Sequence, residues 1–233
     1  MDEVVAEITE LRERLDRKVA ELAAAVSSAL RAVPDLLTWV VERVEDGWNA
    51  FVRRFREVTL WIGDKLLYAG DPGELTETRD AWHAEVAAVT SALAERLDAG
   101  DLRTDDAWDG AAAEQYRQKV PEQQAALRAV RDEFTAGITA ALDQVRDGIV
   151  VFWCGVGAAV FSLLAGIGGA IVATGTIIGL PAAPVLATLA ALTALMELGG
   201  TLLVLTSKAS SAENTLNGVA SSGLTAWPSF ALS

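Results

Sequence analysis

Between Ile149 and Thr206 the chain carries 58 residues and a single formal charge, Glu197. The run breaks only at Gly179-Leu180-Pro181-Ala182-Ala183-Pro184, where two prolines among small residues favour a tight reversal. Ile149 to Leu180 and Val185 to Thr206 each exceed the roughly 20 residues that cross a hydrocarbon core as a helix. The block ends near Arg146 on one side and Lys208 on the other, while its tip has no charge to hold it in water. Both ends therefore belong on one side of a bilayer, and the pattern predicts a helical hairpin inserted from that side.

The remainder is of opposite character. Residues 1–148 hold 30 of the 32 acids and 18 of the 19 bases, a net −12 of the −13 carried by the whole chain. An acidic soluble part is thus joined to a membrane-like part, which reconciles 52% hydrophobic residues with a pI near 4.5. Such a charge balance, with no Lys/Arg cluster, argues against nucleic acid as a partner. One cysteine, Cys154, forms no internal disulfide, and one histidine, His83, leaves no His/Cys set for zinc. The parts of most enzyme chemistries are missing, so no catalytic residue, metal or cofactor is expected. Met-Asp-Glu-Val-Val-Ala-Glu is acidic and amphipathic, unlike a basic signal-peptide start, so any export proceeds without a Sec signal.

Apolar residues three or four apart run from Val4 through Leu11, Leu15, Leu22 and Val26 to Val33, then break at Pro34. A second series follows through Val40, Val44, Phe51, Val58 and Ile62, closed by Gly70-Asp71-Pro72-Gly73. Its Trp39, Trp48 and Trp61 with Arg43, Arg53, Arg54, Arg56 and Lys65 suit either a membrane surface or an ordinary bundle face. A third series, Leu75 to Leu97, ends at Ala99-Gly100-Asp101, and a fourth runs from Tyr116 past Pro121 into the apolar block. No window alternates with period two over strand length. The fold predicted is all-α, an elongated helical bundle in four parts: 1–69, amphipathic helices; 70–148, a helix-turn-helix hairpin; 149–206, the apolar hairpin; 207–233, a polar tail that looks flexible, with Trp227 and Phe230 as interface anchors.

Within 70–148 a helix beginning at Gly70-Asp71-Pro72 carries Leu75 and Trp82, and a turn at Trp108-Asp109-Gly110 leads into Ala111-Ala112-Ala113-x-x-Tyr116. In this context the segment resembles the WXG family of helical-hairpin proteins exported by type VII (ESX) secretion systems. Trp108, Gly110, Tyr116 and Trp82 take structural parts: Gly110 permits a positive φ where the chain reverses, and Trp108 covers the end of the hairpin core. The resemblance implies export without a Sec signal and pairing with the secretion machinery or a helical partner of the same type. One departure concerns the Tyr-x-x-x-Asp/Glu export signal, since Tyr116 is followed four residues on by Val120 and Tyr68 by Pro72. Asp105, Asp106, Asp109 and Glu114 lack the spacing of a calcium loop and suit helix capping. His83 takes no special role.

In the apolar block, Gly155, Gly157, Gly166, Gly168, Gly169, Gly175 and Gly179 lie among Ala, Ser and Thr. Small residues let helices approach closely in lipid; these either form a self-associating face or pack the two hairpin helices on one another. Pro181 and Pro184 shape the reversal. Glu197, near the middle of the second run, is a functional candidate because an ionised carboxylate in hydrocarbon is costly. The expected function is non-enzymatic and membrane-active: a secreted type VII substrate that inserts its hairpin into a lipid bilayer and self-associates into a pore. That layout is similar to the α-helical pore-forming toxins in architecture, with no residue motif behind the likeness. The alternative is an integral protein of the producing cell's plasma membrane whose acidic helical domain docks a toxin or secretion partner.

Overall fold

A computed structural model of the chain describes residues 2–34, 37–66, 70–97, 109–176 and 178–221. These form five helices, with no strand among the described residues, and the fold is all-α. Helix α1 (Asp2–Arg31) ends three residues before Pro34, its last turn tightened by Ala32 N–H to Ala29 C=O at 3.0 Å. Leu37 N–H bonds Pro34 C=O at 2.9 Å and the chain enters α2 (Thr38–Leu66). Helix α3 (72–96) starts with a proline at its first position and with Asp71 Oδ1 accepting from Gly73 N–H at 2.8 Å. Helix α4 (Ala111–Ala173) runs through Pro121, and α5 (Leu180–Ser221) follows the reversal.

The chain divides into two compact units, 1–70 with 149–205 and 71–148 with 206–233. In the first, α1 and α2 pack with residues 149–173 of α4 and 180–205 of α5. Leu15, Leu22 and Val26 of α1 and Val40, Val44, Phe51, Val58 and Ile62 of α2 are buried, each at helical spacing from the next. Full burial of such a side chain is worth roughly 1.5–3 kcal/mol. In the apolar block Phe152, Val156, Leu163, Ile167 and Leu198 are buried as well. Within α2, Trp48 lies 5.6 Å from Phe51 and Phe51 5.7 Å from Phe55 between ring centroids, and Trp61 crosses to Phe152 of the apolar block at 5.9 Å.

The second unit has a core of small residues, with Ala94, Ala113, Val120, Thr135, Thr139, Ala141 and Ala212 buried. Gln124 Nε2 bonds the Ala94 carbonyl at 2.9 Å, and Arg79 reaches Asp143 at 3.1 Å. Helices α3 and α4 each contain one wide π turn, at Trp82–Ala87 and Val130–Thr135. The two turns touch: Trp82 and Phe134, one in each, meet edge to face at 6.0 Å. The Thr135 hydroxyl bonds back five residues to the Val130 carbonyl at 2.9 Å, filling the space such a turn opens.

One expectation is corrected by the structure. Residues 207–221, read from composition as part of a flexible tail, continue α5 as helix. Ala212 is buried, Thr215 accepts from Gln144 Nε2 at 3.3 Å, and Val219 lies against Gly137, where a Cβ would collide with it. Lys208, Ala212, Thr215 and Val219 recur at helical spacing, a stripe too small and polar for a hydropathy reading to register.

At Gly110 the backbone has φ +108° and ψ 179°, a conformation essentially restricted to glycine, immediately before α4. Gly110→Ala is expected to cost about 1–3 kcal/mol in chemical denaturation. Gly157→Ala, at a helical position with nothing within 4 Å of the added Cβ, should leave stability unchanged or raise it by up to ~1 kcal/mol.

Candidate membrane-inserting hairpin

The two apolar segments are each long and apolar enough to cross a bilayer as a helix. They run antiparallel: Gly155 meets Thr201, the Ser162 hydroxyl reaches Glu197 at 3.3 Å, and Gly166 meets Ala190. At Gly155 and Gly166 an added Cβ would overlap the Thr201 and Ala190 side chains, so these glycines set the helix separation. Ala159, Ala170, Ala187, Ala191 and Ala194 are fully buried around them. The small residues thus permit backbone approach, the same device that packs helices in lipid.

One side of this hairpin is covered and the other is bare. Trp61 stacks on Phe152, Pro184 lies 2.8 Å from the Cβ position of Gly47, and Ile149 lies 2.6 Å from that of Gly70. Away from these contacts, Val172, Ile178, Met196 and Leu203 are 71–93% exposed, with Leu189 at 55%, while Phe161, at the edge of α1, is 70% exposed. Only 44% of the first apolar window and 17% of the second is buried. A core helix of a soluble protein passes the same length and hydropathy test, but it is enclosed; these are not.

Polar groups within the apolar block are few. Glu197 Oε1 accepts from Ser162, while its Oε2 and the Trp153 indole N–H are buried with no hydrogen-bond partner. The charges resume at Asp143, Arg146 and Asp147, where Arg146 pairs with Asp143 at 2.8 Å and Asp147 at 2.7 Å. Arg79 joins the same cluster, and the carboxylates of Asp80 and Asp143 raise it above the ordinary arginine value. Among the described residues no group of three His, Cys, Asp or Glu side chains is placed to hold a metal.

The residues singled out in the sequence scatter. Trp108 lies outside the described residues, as do Tyr68, Asp105, Asp106, Trp227 and Phe230. Gly110 precedes α4 with Glu114 N–H bonded to its carbonyl at 3.1 Å, and Tyr116 is half-buried on the first turns of that helix. Trp82 is half-buried against Phe134. Gly157, Gly168 and Gly169 have open space where a Cβ would be. Gly175 and Gly179 belong to the reversal, where Gly179 N–H bonds Thr176 Oγ1 at 3.0 Å and the Ala173 carbonyl crowds the Cβ position. Pro181 is half-buried in the 3₁₀ turn Leu180–Ala182, and Pro184 is buried against α2. Sequence reasoning did not find Gly47 as the seat of Pro184 or Ser162 as the partner of Glu197. A lone serine on an apolar helix was the available signal for the second; the first had none.

No family model, curated protein or solved structure matches the chain.

The glycines fall into two groups with different expected outcomes. Gly155→Leu and Gly166→Ile should each destabilise the protein by about 1–3 kcal/mol through overpacking against Thr201 and Ala190. Gly168→Ile and Gly169→Ile should melt like the parent, and any loss of cross-linked oligomers in liposomes on these substitutions assigns the open glycines to self-association.

Proposed function

We propose that this is a non-enzymatic membrane-active protein that inserts the 149–206 hairpin into a bilayer and self-associates there. The observation that carries the reading is the bare apolar side of the hairpin, from Val172 and Ile178 to Met196 and Leu203. In water that surface is a liability, and in lipid it has no cost. The covered side gives the reading its conditional character. Charged residues fill 12 of the 30 positions of α1, so α1 does not accompany the hairpin into hydrocarbon. The packed arrangement is therefore a state outside the bilayer core, and insertion exchanges the amphipathic cover for lipid.

The likeness of 70–148 to the WXG family supports export by a type VII system and pairing with a helical partner. Val89 and Leu93 of α3 are 49% and 44% exposed, an apolar strip beside the contacting π turns that suits such pairing. The resident-anchor reading gains less, because a permanently inserted hairpin has no use for the cover that α1 and α2 provide.

Fractionation separates the two readings. The protein is expected in the soluble fraction or the medium without detergent, and to release dye from liposomes when added from outside. Extraction that requires detergent from the start favours the resident anchor. Glu197→Gln replaces a carboxyl group by a neutral amide of the same shape, which costs less to carry into lipid, so dye release should rise several-fold over the parent. Lowering the pH toward the pI near 4.5 removes net negative charge and should strengthen binding to anionic vesicles in both proteins.

A further inference from the structure

Three of the protein's 19 basic residues line one cleft. Arg14, Arg17 and Lys18 occupy one face of α1 at i, i+3 and i+4, beside Phe161 and Leu164 of the apolar block, and with Leu11 they line a half-open cleft of about 340 Å³. The acid in the lining is Glu21, which pairs with Lys18. Arg17 is held by Glu13 only at 3.8 Å, and Arg14 has no ion-pair partner among the described residues. With Glu21 counted, the lining carries a net +2 in a chain of net −13, set directly against apolar surface. A bare anion has no use for Phe161 and Leu164, and an apolar ligand has none for the guanidinium groups. The combination fits a ligand with both parts.

We propose that this cleft binds the headgroup of an acidic phospholipid, its phosphate on Arg14, Arg17 and Lys18 and the start of an acyl chain along Leu164 and the exposed ring of Phe161. Guanidinium groups take phosphate oxygens through paired, charge-assisted hydrogen bonds, and the aliphatic stems of all three cations line the passage to the apolar floor. The volume, at the small end of ligand pockets, suits a headgroup and not a whole lipid; the rest of the molecule lies over the bare side of the hairpin. The site rests on the reading that the hairpin meets a bilayer, and it adds a selection rule. A chain of net −13 is repelled by an anionic surface as a whole, and this cleft is where an acidic lipid is accepted. It lies in the seam between α1 and α4, so the lipid recognised competes with α1 for the apolar surface that insertion must free.

The test uses the full chain and dihexanoyl phosphatidylglycerol below its micelle concentration, with dihexanoyl phosphatidylcholine as the neutral comparison, followed by calorimetry and thermal melting. Binding and a raised Tm with the acidic lipid alone are expected. The triple substitution Arg14→Gln, Arg17→Gln, Lys18→Gln should weaken it by about tenfold or more. Arg53→Gln, Arg54→Gln, Arg56→Gln on α2 removes the same charge and should not. Phe161→Ser, at a position 70% exposed and so harmless to folding, should weaken binding without changing charge. Equal binding of the two lipids, or equal losses in the two triple variants, overturns the site in favour of unspecific charge attraction. Dye release from vesicles is read separately. Monomeric lipid bound without any release keeps the cleft and sinks the insertion reading; release equal in neutral and acidic vesicles, with no monomeric lipid bound, does the reverse.

Discussion

The constraint on which the first unit depends is that 58 nearly uncharged residues must be covered, and that α1 and α2 cover only one side of them. Amphipathic helices solve half of the problem. The buried stripe from Val40 to Ile62 on α2 and the shorter one from Leu15 to Val26 on α1 supply the apolar contact, and their charged faces supply the water-facing exterior. The half left uncovered is what distinguishes the protein from an ordinary bundle. Nothing in the packing of the first unit requires Phe161, Met196 or Leu203 to be large and apolar, and their persistence on the surface is the physical basis for the membrane reading.

The hairpin is suited to both settings because its two helices hold each other through small residues. Gly155 against Thr201 and Gly166 against Ala190 bring the backbones close, and dispersion across that contact does not depend on whether water or lipid lies outside. The two helices of the hairpin therefore share an interface in which neither α1 nor α2 takes part. Glu197 is the exception to an otherwise uniform surface chemistry. With one oxygen on Ser162 and the other unpartnered, it is a local cost that the apolar neighbours do not offset.

The cleft over Phe161 and the bare hairpin face are adjoining features with one logic. Arg14, Arg17 and Lys18 outnumber Glu21 in the cleft lining, so the acidic chain is locally basic beside its exposed apolar surface. In the second unit the corresponding economy is steric: a small-residue core, two facing π turns and a glycine-only backbone at Gly110 position α3 against α4 with little apolar burial, which leaves Val89 and Leu93 exposed.

The helices themselves were legible in the sequence because each is a periodic pattern interrupted by residues with local backbone rules. Pro34, Gly70-Asp71-Pro72 and Gly179 to Pro184 mark helix boundaries whatever surrounds them, and the 3/4 spacing from Val40 to Ile62 marks a buried face without naming what buries it. The candidate hairpin was equally legible, since length and lack of charge are properties of the chain alone. What faces what belongs to the tertiary structure. Pro184 on Gly47, Trp61 on Phe152 and Ser162 on Glu197 join residues far apart in the chain, and no local pattern encodes those distances. The helical course of 207–221 was hidden because its stripe, Ala212, Thr215 and Val219, gains meaning only from Gln144 and Gly137 beside it. The basic cleft was hidden for the same reason: Arg14, Arg17 and Lys18 read as a solvated helix face until packing sets Phe161 and Leu164 beneath them. Periodicity and breakers act over a few residues and fix the elements, whereas the environment of each side chain is the sum of contacts from other elements and exists only once they have met.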